Sequence, residues 1–190
     1  MRFLELAEKT RSYRRFMEQR PVSSEDLVSM IEAACLAPCA SNLQRLRYSI
    51  VTDEVERRTL FNSIGWAGYL KDWNGPGPGE RPSAYIVIHA PEEEKFFTGI
   101  DVGIAASYIV LEASERGIAS CMILSFGHDA AQSVAPAPGY SSRLVVALGY
   151  PGEEVVLEKN SENIQYWRDE NGIHHVPKHP VEKLILKGNQ

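Results

Sequence analysis

Apolar residues recur along this chain with two spacings, which predict a mixture of helices and strands. Helical spacing predicts helices at 2–18, from Ser23 to the residue before Pro38, at 53–64 and at 98–116. Short apolar runs predict strands at 48–51, 84–88, 118–124 and 144–148. The run at 84–88 is almost continuously apolar, which indicates a central strand covered on both faces.

The helix predicted at 98–116 is the longest, and it is unusually rich in small residues. Such residues would allow another helix to approach closely. They are Gly99, Gly103, Ala105, Ala106, Ser107 and Ala113.

Beyond Pro151 the apolar periodicity fades. Segment 153–182 is polar but keeps isolated large side chains such as Tyr166, Trp167, Ile173 and Val176. Such a tail is either disordered or packed on something outside its own core. The second interpretation is favoured, because disordered segments contain few large apolar groups.

Composition narrows the class of protein. A chain of 190 residues with 44% hydrophobic residues suits one globular domain. A net charge of −5 argues against nucleic acid as a partner. No apolar run is long enough to cross a bilayer, and the N-terminus lacks the apolar stretch of a signal peptide. Three cysteines without framework spacing suit a reducing compartment, so we expect a cytoplasmic protein without a membrane partner.

Two short segments carry the candidate chemistry. Arg11, Ser12 and Arg14 offer guanidinium groups and a hydroxyl, which suit a phosphate. Asn42 and Gln44 follow small residues and offer amides to a planar heterocycle. Alternatives remain open: the arginines can form a solvated helix face paired with Glu5, Glu8 or Glu18, and the amides can cap a helix or brace a loop.

Cysteine and histidine raise two further possibilities. Cys39 could be a redox thiol that pairs with Cys35 one helical turn away, or it could be a small buried residue. The buried residue is favoured, because a reactive thiol needs a depressed pKa. His174, His175 and His179 have spacing of the kind seen in metal sites. Pro177 breaks any helix between them, so we predict no metal site.

Several segments in order resemble the FMN-dependent nitroreductase family, and they cover nearly the whole chain. They are Arg11-Ser12-x-Arg14, Ala37 to Gln44, Ala67 to Trp73, Asp101 to Ala106, Leu148 to Pro151, Tyr166 to Asp169 and His175 to Lys178. The chain departs from the family pattern at Thr10, where many members have a further arginine, at Cys39 in place of serine, at Arg45-Leu46 in place of Pro-Trp, and at His179 in place of arginine.

The resemblance implies an α+β fold, with a central, mostly antiparallel sheet of about four or five strands flanked by helices. It implies a single domain over 1–190 in an intertwined homodimer. The helix at 98–116 would lie at the dimer core, and residues 153–190 would form a C-terminal extension wrapping the partner subunit.

The resemblance also implies FMN at the dimer interface, with NADH or NADPH as reductant and an electron-poor small molecule as acceptor. Nitroaromatics, quinones and enones are the expected acceptors, reduced by ping-pong hydride transfer at flavin N5 without a catalytic side chain. The expected cofactor contacts are Arg11, Ser12, Arg14 and Lys178 at the phosphate, Pro38, Cys39, Ala40, Asn42 and Gln44 in the loop, and Leu124 and Ser125 after a strand. Tyr69 and Trp73 are expected to line the acceptor pocket, although buried aromatic packing explains them equally well.

Two other functions stay open. Another flavin chemistry on the same fold, such as reductive dehalogenation or flavin breakdown, would keep the FMN contacts and change the lid. A non-catalytic FMN-binding protein would bind flavin without turnover.

Overall fold

The computed structural model describes residues 2–93, 96–159 and 161–187. Its helices are α1 (Phe3–Lys9), α2 (Ser24–Cys35), α3 (Glu54–Phe61), α4 (Thr98–Glu115), α5 (His128–Val134) and α6 (Val181–Leu184). Its strands are β1 (Arg47–Val51), β2 (Ala84–Pro91), β3 (Ala119–Ile123), β4 (Tyr140–Gly149), β5 (Val155–Glu158), β6 (Trp167–Arg168) and β7 (His174–Pro177).

The main sheet has four strands in the order β1-β2-β4-β3, and every neighbouring pair is antiparallel. Side chains alternate along the central strand β2, so Ile86 and Ile88 face α2 and α4, whereas Tyr85 and Val87 face the other layer. Both clusters are buried. The predicted central strand and the antiparallel sheet with helices on both faces are confirmed.

Local capping explains where two of the predicted helices begin. The Ser23 hydroxyl accepts the N–H of Asp26 at 3.0 Å and starts α2. Asp53 accepts the N–H groups of Val55 and Glu56 and starts α3. The long helix is also confirmed, since α4 spans Thr98–Glu115.

The predicted helix at 2–18 is wrong beyond Lys9. The hydroxyl of Thr10 donates to the Leu6 carbonyl at 2.8 Å, and the helix ends there because the backbone of Thr10 is extended. The backbone of Ser12 forms an isolated parallel β-bridge with Ser120, and that of Phe16 forms an antiparallel one with Pro151. Phe16 is 1% exposed beneath the sheet, so its burial requires the chain to leave the helix. Phe3 and Leu4 on α1 are exposed.

Two other parts of the chain contain elements that the sequence did not predict. Helix α5 lies between β3 and β4. The tail folds into a small sheet of order β5-β7-β6, in which β7 is parallel to β5 and antiparallel to β6. This sheet lies against the extended residues near Arg14 of the same chain.

Candidate functional site

The extended segment 11–16 carries the first group of candidate residues. Arg11 and Tyr13 line one groove, whereas Ser12 and Arg14 both lie near Cys121, which is the alternation expected of an extended chain. Arg11 donates to the Ala7 carbonyl at 2.5 Å and borders a groove of about 620 Å³ between α1, the end of α4 and β5. Burial lowers the pKa of its guanidinium. The structure therefore does not bring Arg11 and Arg14 together.

Arg14 lies among neutral groups supplied by the tail. Its Nη1 is 2.9 Å from Nε2 of His174, and its guanidinium carbon is 4.5 Å from the centroid of the Tyr166 ring. Burial, together with the charges of Arg14 and Arg168, lowers the pKa of His174 to about 4. His174 is therefore neutral at physiological pH, with Nε2 as the acceptor for Arg14.

The acidic side chains that could have paired with Arg14 are engaged elsewhere. Glu5 accepts the N–H of Arg2, Glu8 pairs with Lys159 at 2.6 Å, and Glu18 accepts the N–H of Gly79 at 2.6 Å. In the part of the chain that the structure describes, no ion pair includes Arg14. Within residues 2–93, 96–159 and 161–187, its positive charge therefore has no carboxylate partner.

The two predicted acceptor aromatics lie beside this group. The Tyr69 ring packs on the Tyr166 ring with centroids 4.9 Å apart, and Trp73 lies 4.7 Å from the guanidinium carbon of Arg168. Both line an open groove of about 510 Å³ together with Arg15 and Lys71. Tyr69 is 50% exposed, so an aromatic surface is accessible there.

The loop that follows α2 carries the second group of candidates. Ser41, Asn42 and Gln44 have φ angles of 50°, 52° and 49°. These angles lie in the left-handed region, which residues other than glycine seldom adopt. Asn adopts this region more often than most residues, so the unusual positions are Ser41 and Gln44, and they make the loop a candidate binding segment. The loop is fixed to α4, because the Ala40 N–H donates to Oδ1 of buried Asp101 at 2.9 Å.

Cys39 accepts the N–H of Gln44 at its sulfur, 3.4 Å away. It is a free thiol and only half-buried, so the expectation that it is a small buried residue is wrong. Cys39, Cys35 and Pro38 line a cavity of about 170 Å³.

The two groups of candidates lie at opposite ends of α4 within one chain. The loop at 37–44 meets the helix at Asp101, whereas Ser12 lies beside Ser120 of β3, just beyond the other end of the helix. Asp101 and Ser114 are 13 residues apart on this helix, which corresponds to about 20 Å. One protomer therefore does not assemble both groups into one site.

The remaining candidates lie away from Arg14 or only partly near it. Leu124 is 74% exposed after β3, and the Ser125 carbonyl accepts the N–H of Gly65 at 2.8 Å. Lys178 follows β7, and its backbone pairs with Glu158 and Ser161. It is four residues beyond His174, or about 13 Å along the strand. The three histidines have different partners, since His175 pairs with Glu158 at 2.7 Å and His179 contacts the Ser161 carbonyl at 3.0 Å.

The sequence did not predict that four residues of the tail contact the N-terminal segment or one another. These residues are Glu153, Tyr166, Arg168 and His174. All four lie in the tail, and their contacts depend on chain pairing between 14–17 and 150–153. Thr10, Arg11, Ser12, Arg14 and Arg15 are all polar, so the sequence has no alternation that would mark this segment as extended.

Comparison with known proteins decides the family. A model of the nitroreductase family matches residues 7–150. The chain belongs to the nitroreductase family. The resemblance read from the sequence is thus confirmed.

Individual nitroreductase-family relatives are more distant. A Streptococcus pyogenes protein named as an NAD(P)H nitroreductase is 26% identical and aligns over 81% of this chain and 92% of its own length. An iodotyrosine deiodinase of Thermotoga neapolitana is 28% identical over 61% of this chain and 70% of its own. An FMN-dependent nitroreductase from Clostridium difficile R20291 superimposes with a TM-score of 0.62, covering 80% and 89% of the two chains at 26% identity. The α+β nitroreductase fold is confirmed.

Among the described residues of this nitroreductase-family chain, no helix is both long and apolar enough to span a membrane.

Proposed function

We propose that the protein is an FMN-dependent oxidoreductase that uses NADH or NADPH to reduce electron-poor acceptors. The observation that carries this proposal is Arg14, a cation that has no carboxylate partner among the described residues and that shares a short segment with the Ser12 hydroxyl. Such a pair fits the phosphate of FMN. The family membership and the FMN-dependent relative support the same assignment.

A homodimer is part of the proposal, because it explains how one site can use both groups of candidates. A two-fold axis across α4 would set the Asp101 end of one protomer beside the Ser114 end of the other. The loop at 37–44 of one chain would then face Arg14 of its partner. Exposed residues on α4, including Ile100 and Tyr108, are consistent with a contact there.

In this dimer each part of the chain has a separate task. Arg14 and Ser12 would bind the phosphate, with Lys178 as a further cation. Loop residues Asn42 and Gln44 would present polar groups to the ring system, while Tyr69 and Trp73 would stack on a planar acceptor. FMN held by these residues would supply the redox chemistry between the nicotinamide and the acceptor. Three free cysteines fit a reducing compartment, so a cytoplasmic location belongs to the proposal.

The purified protein provides the test. Mass spectrometry of the released cofactor should find FMN and not FAD. Anaerobic stopped-flow mixing with NADH or NADPH should bleach the flavin absorbance, and a nitroaromatic or quinone should restore it. Bound FMN that neither nicotinamide bleaches would indicate a non-catalytic flavin-binding protein instead, and failure to bind FMN at all would overturn the proposal.

Reductive dehalogenation is the second candidate, favoured by the similarity to an iodotyrosine deiodinase. The chain has Arg45-Leu46 after Gln44 in place of the common Pro-Trp, next to the loop that would face the flavin. Release of iodide from iodotyrosine by the reduced protein, at a rate exceeding that of nitroaromatic reduction, would select this function.

A further inference from the structure

Glu153 is a buried carboxylate in contact with the N-terminal segment. Its side chain is 1% exposed. One oxygen, Oε1, accepts the backbone N–H groups of Arg14 at 2.5 Å and Arg15 at 3.0 Å. The other oxygen, Oε2, accepts from Nη2 of Arg168 at 2.6 Å. Both oxygens of one buried anion are therefore occupied by the segment that carries Arg14 and by the tail.

The backbone of Glu153 is itself held firmly against this segment. The N–H of Gly152 donates to the Arg15 carbonyl at 3.0 Å, and the N–H of Met17 donates to the Tyr150 carbonyl at 2.9 Å. The approach at Gly152 is so close that an added Cβ would lie 2.7 Å from the carbonyl carbon of Phe16. The carboxylate therefore stands at a fixed place under the N–H groups of Arg14 and Arg15.

A charge at this place is not explained well by stability alone. Removing a carboxylate from water costs several kcal/mol, and its pairing with a buried arginine roughly offsets that cost. Apolar packing would stabilise the same junction at least as well. Unlike apolar packing, a carboxylate also fixes the direction of the backbone N–H groups that donate to it. Such a contact suits a segment in which one side chain, here that of Arg14, must be held in a single orientation.

The Arg14 side chain is held from the other end by tail residues. His174 accepts from its Nη1, and Tyr166 lies against its guanidinium. We infer that Glu153 is a positioning residue that holds the Arg14 backbone so that its guanidinium is presented to the phosphate of FMN. This inference rests on the proposed function. Arg168 extends the same junction to Trp73 in the acceptor groove.

Full-length, FMN-loaded protein provides the test, with the Kd measured from the rise in free-flavin fluorescence on dilution. Glu153→Gln removes the charge and should raise the Kd about tenfold or more, the scale of a lost charge-assisted hydrogen bond. Glu154→Gln, the same change at the exposed neighbouring residue, is the matched control and should stay within about twofold.

A double-mutant cycle separates positioning from general structural support. If Glu153 acts through Arg14, Glu153→Gln should change the Kd by less than about twofold in an Arg14→Ala background. An equal fold-change in both backgrounds, or an unchanged Kd in folded Glu153→Gln, would overturn the inference. Should Glu153→Gln fail to fold, Glu153→Asp keeps the charge but retracts it, and a Kd equal to that of wild type would then overturn the inference. If Arg14→Ala itself leaves the Kd unchanged, the phosphate assignment in the proposed function fails first and the inference with it.

Discussion

At the scale of single residues, the direction of a side chain decides its role more than its charge does. Arg11 and Arg14 carry the same group, yet only Arg14 shares a side with Ser12 and lies against neutral His174. Arg11 instead faces the groove beside α1. The sequence predicted phosphate-binding cations in this segment. It did not distinguish the two arginines, because a helix and an extended chain place residues 11 and 14 differently.

This difference gives a prediction for the two arginines. Arg14→Ala should weaken FMN binding by about 1.5–3 kcal/mol, the usual cost of losing a hydrogen bond to a charged group. Arg11→Ala is the matched control, and its effect should be smaller, about 0.5 kcal/mol or less. Flavin fluorescence titration of both variants measures the affinities. Equal losses for the two variants would show that Arg11 also reaches the phosphate.

At the scale of elements, the strongly periodic segments were predicted correctly and the weakly periodic ones were not. Strand β2 is a nearly continuous apolar run and helix α4 has a long apolar pattern with helical spacing, and both were found where expected. Strands β6 and β7 have two and four residues, and their pairing depends on contacts with distant parts of the chain. Local sequence carries little information about such strands. The same reasoning applies to Phe16, whose burial by the sheet overrides the helical pattern that precedes it.

Strand β7 carries two adjacent histidines whose pKa values shift in opposite directions. Burial lowers the pKa of His174 to about 4. The hydrogen bond with Glu158, together with Asp169, raises the pKa of His175. Between pH 6.5 and about 4 the unfolded chain binds a proton at position 174 that the folded protein does not, so acidification destabilises the fold by up to about 3 kcal/mol through this residue. The contribution of His175 is fully present below its unfolded pKa and is lost as pH rises through the raised value.

Urea unfolding at about pH 7.5 and about pH 5 tests these signs. Relative to wild type, His174→Phe should lose less stability on acidification, because its acid-sensitive group is gone. His175→Phe should lose more, because it lacks the group that stabilises the fold at low pH. Identical pH slopes for the wild type and both variants would contradict the assignments.

At the scale of the whole molecule, the described surface contains apolar residues that a monomer would leave in water. Val181, Leu184, Ile185 and Leu186 at the end of the chain are 60%, 65%, 56% and 101% exposed. Isolated exposed apolar residues are common, but a run of them in a segment with little structure of its own favours a protein partner. A second copy of the chain also accounts for the separation of the two groups of site residues along α4. The tail therefore has two tasks in our proposal: its sheet holds Arg14 within the chain, and its end contacts the partner.

Truncation after Pro180 separates these two tasks, because it removes the exposed apolar end and keeps Glu153, Tyr166 and His174. We expect full-length protein to sediment as a dimer, and the truncated protein to dissociate at concentrations where the full-length protein does not. FMN should bind more weakly to the truncated protein, because binding and association are linked.

Gly103→Ala on α4 gives an independent test. An added Cβ there meets nothing within 4 Å in the single chain, so in a monomer the change should stabilise the helix by about 0.5–1 kcal/mol. At a close helix contact between protomers it should weaken the dimer instead. A truncated protein that remains dimeric and binds FMN as tightly as the full-length chain, together with a stabilising Gly103→Ala, would show that neither the tail nor this face of α4 forms the interface.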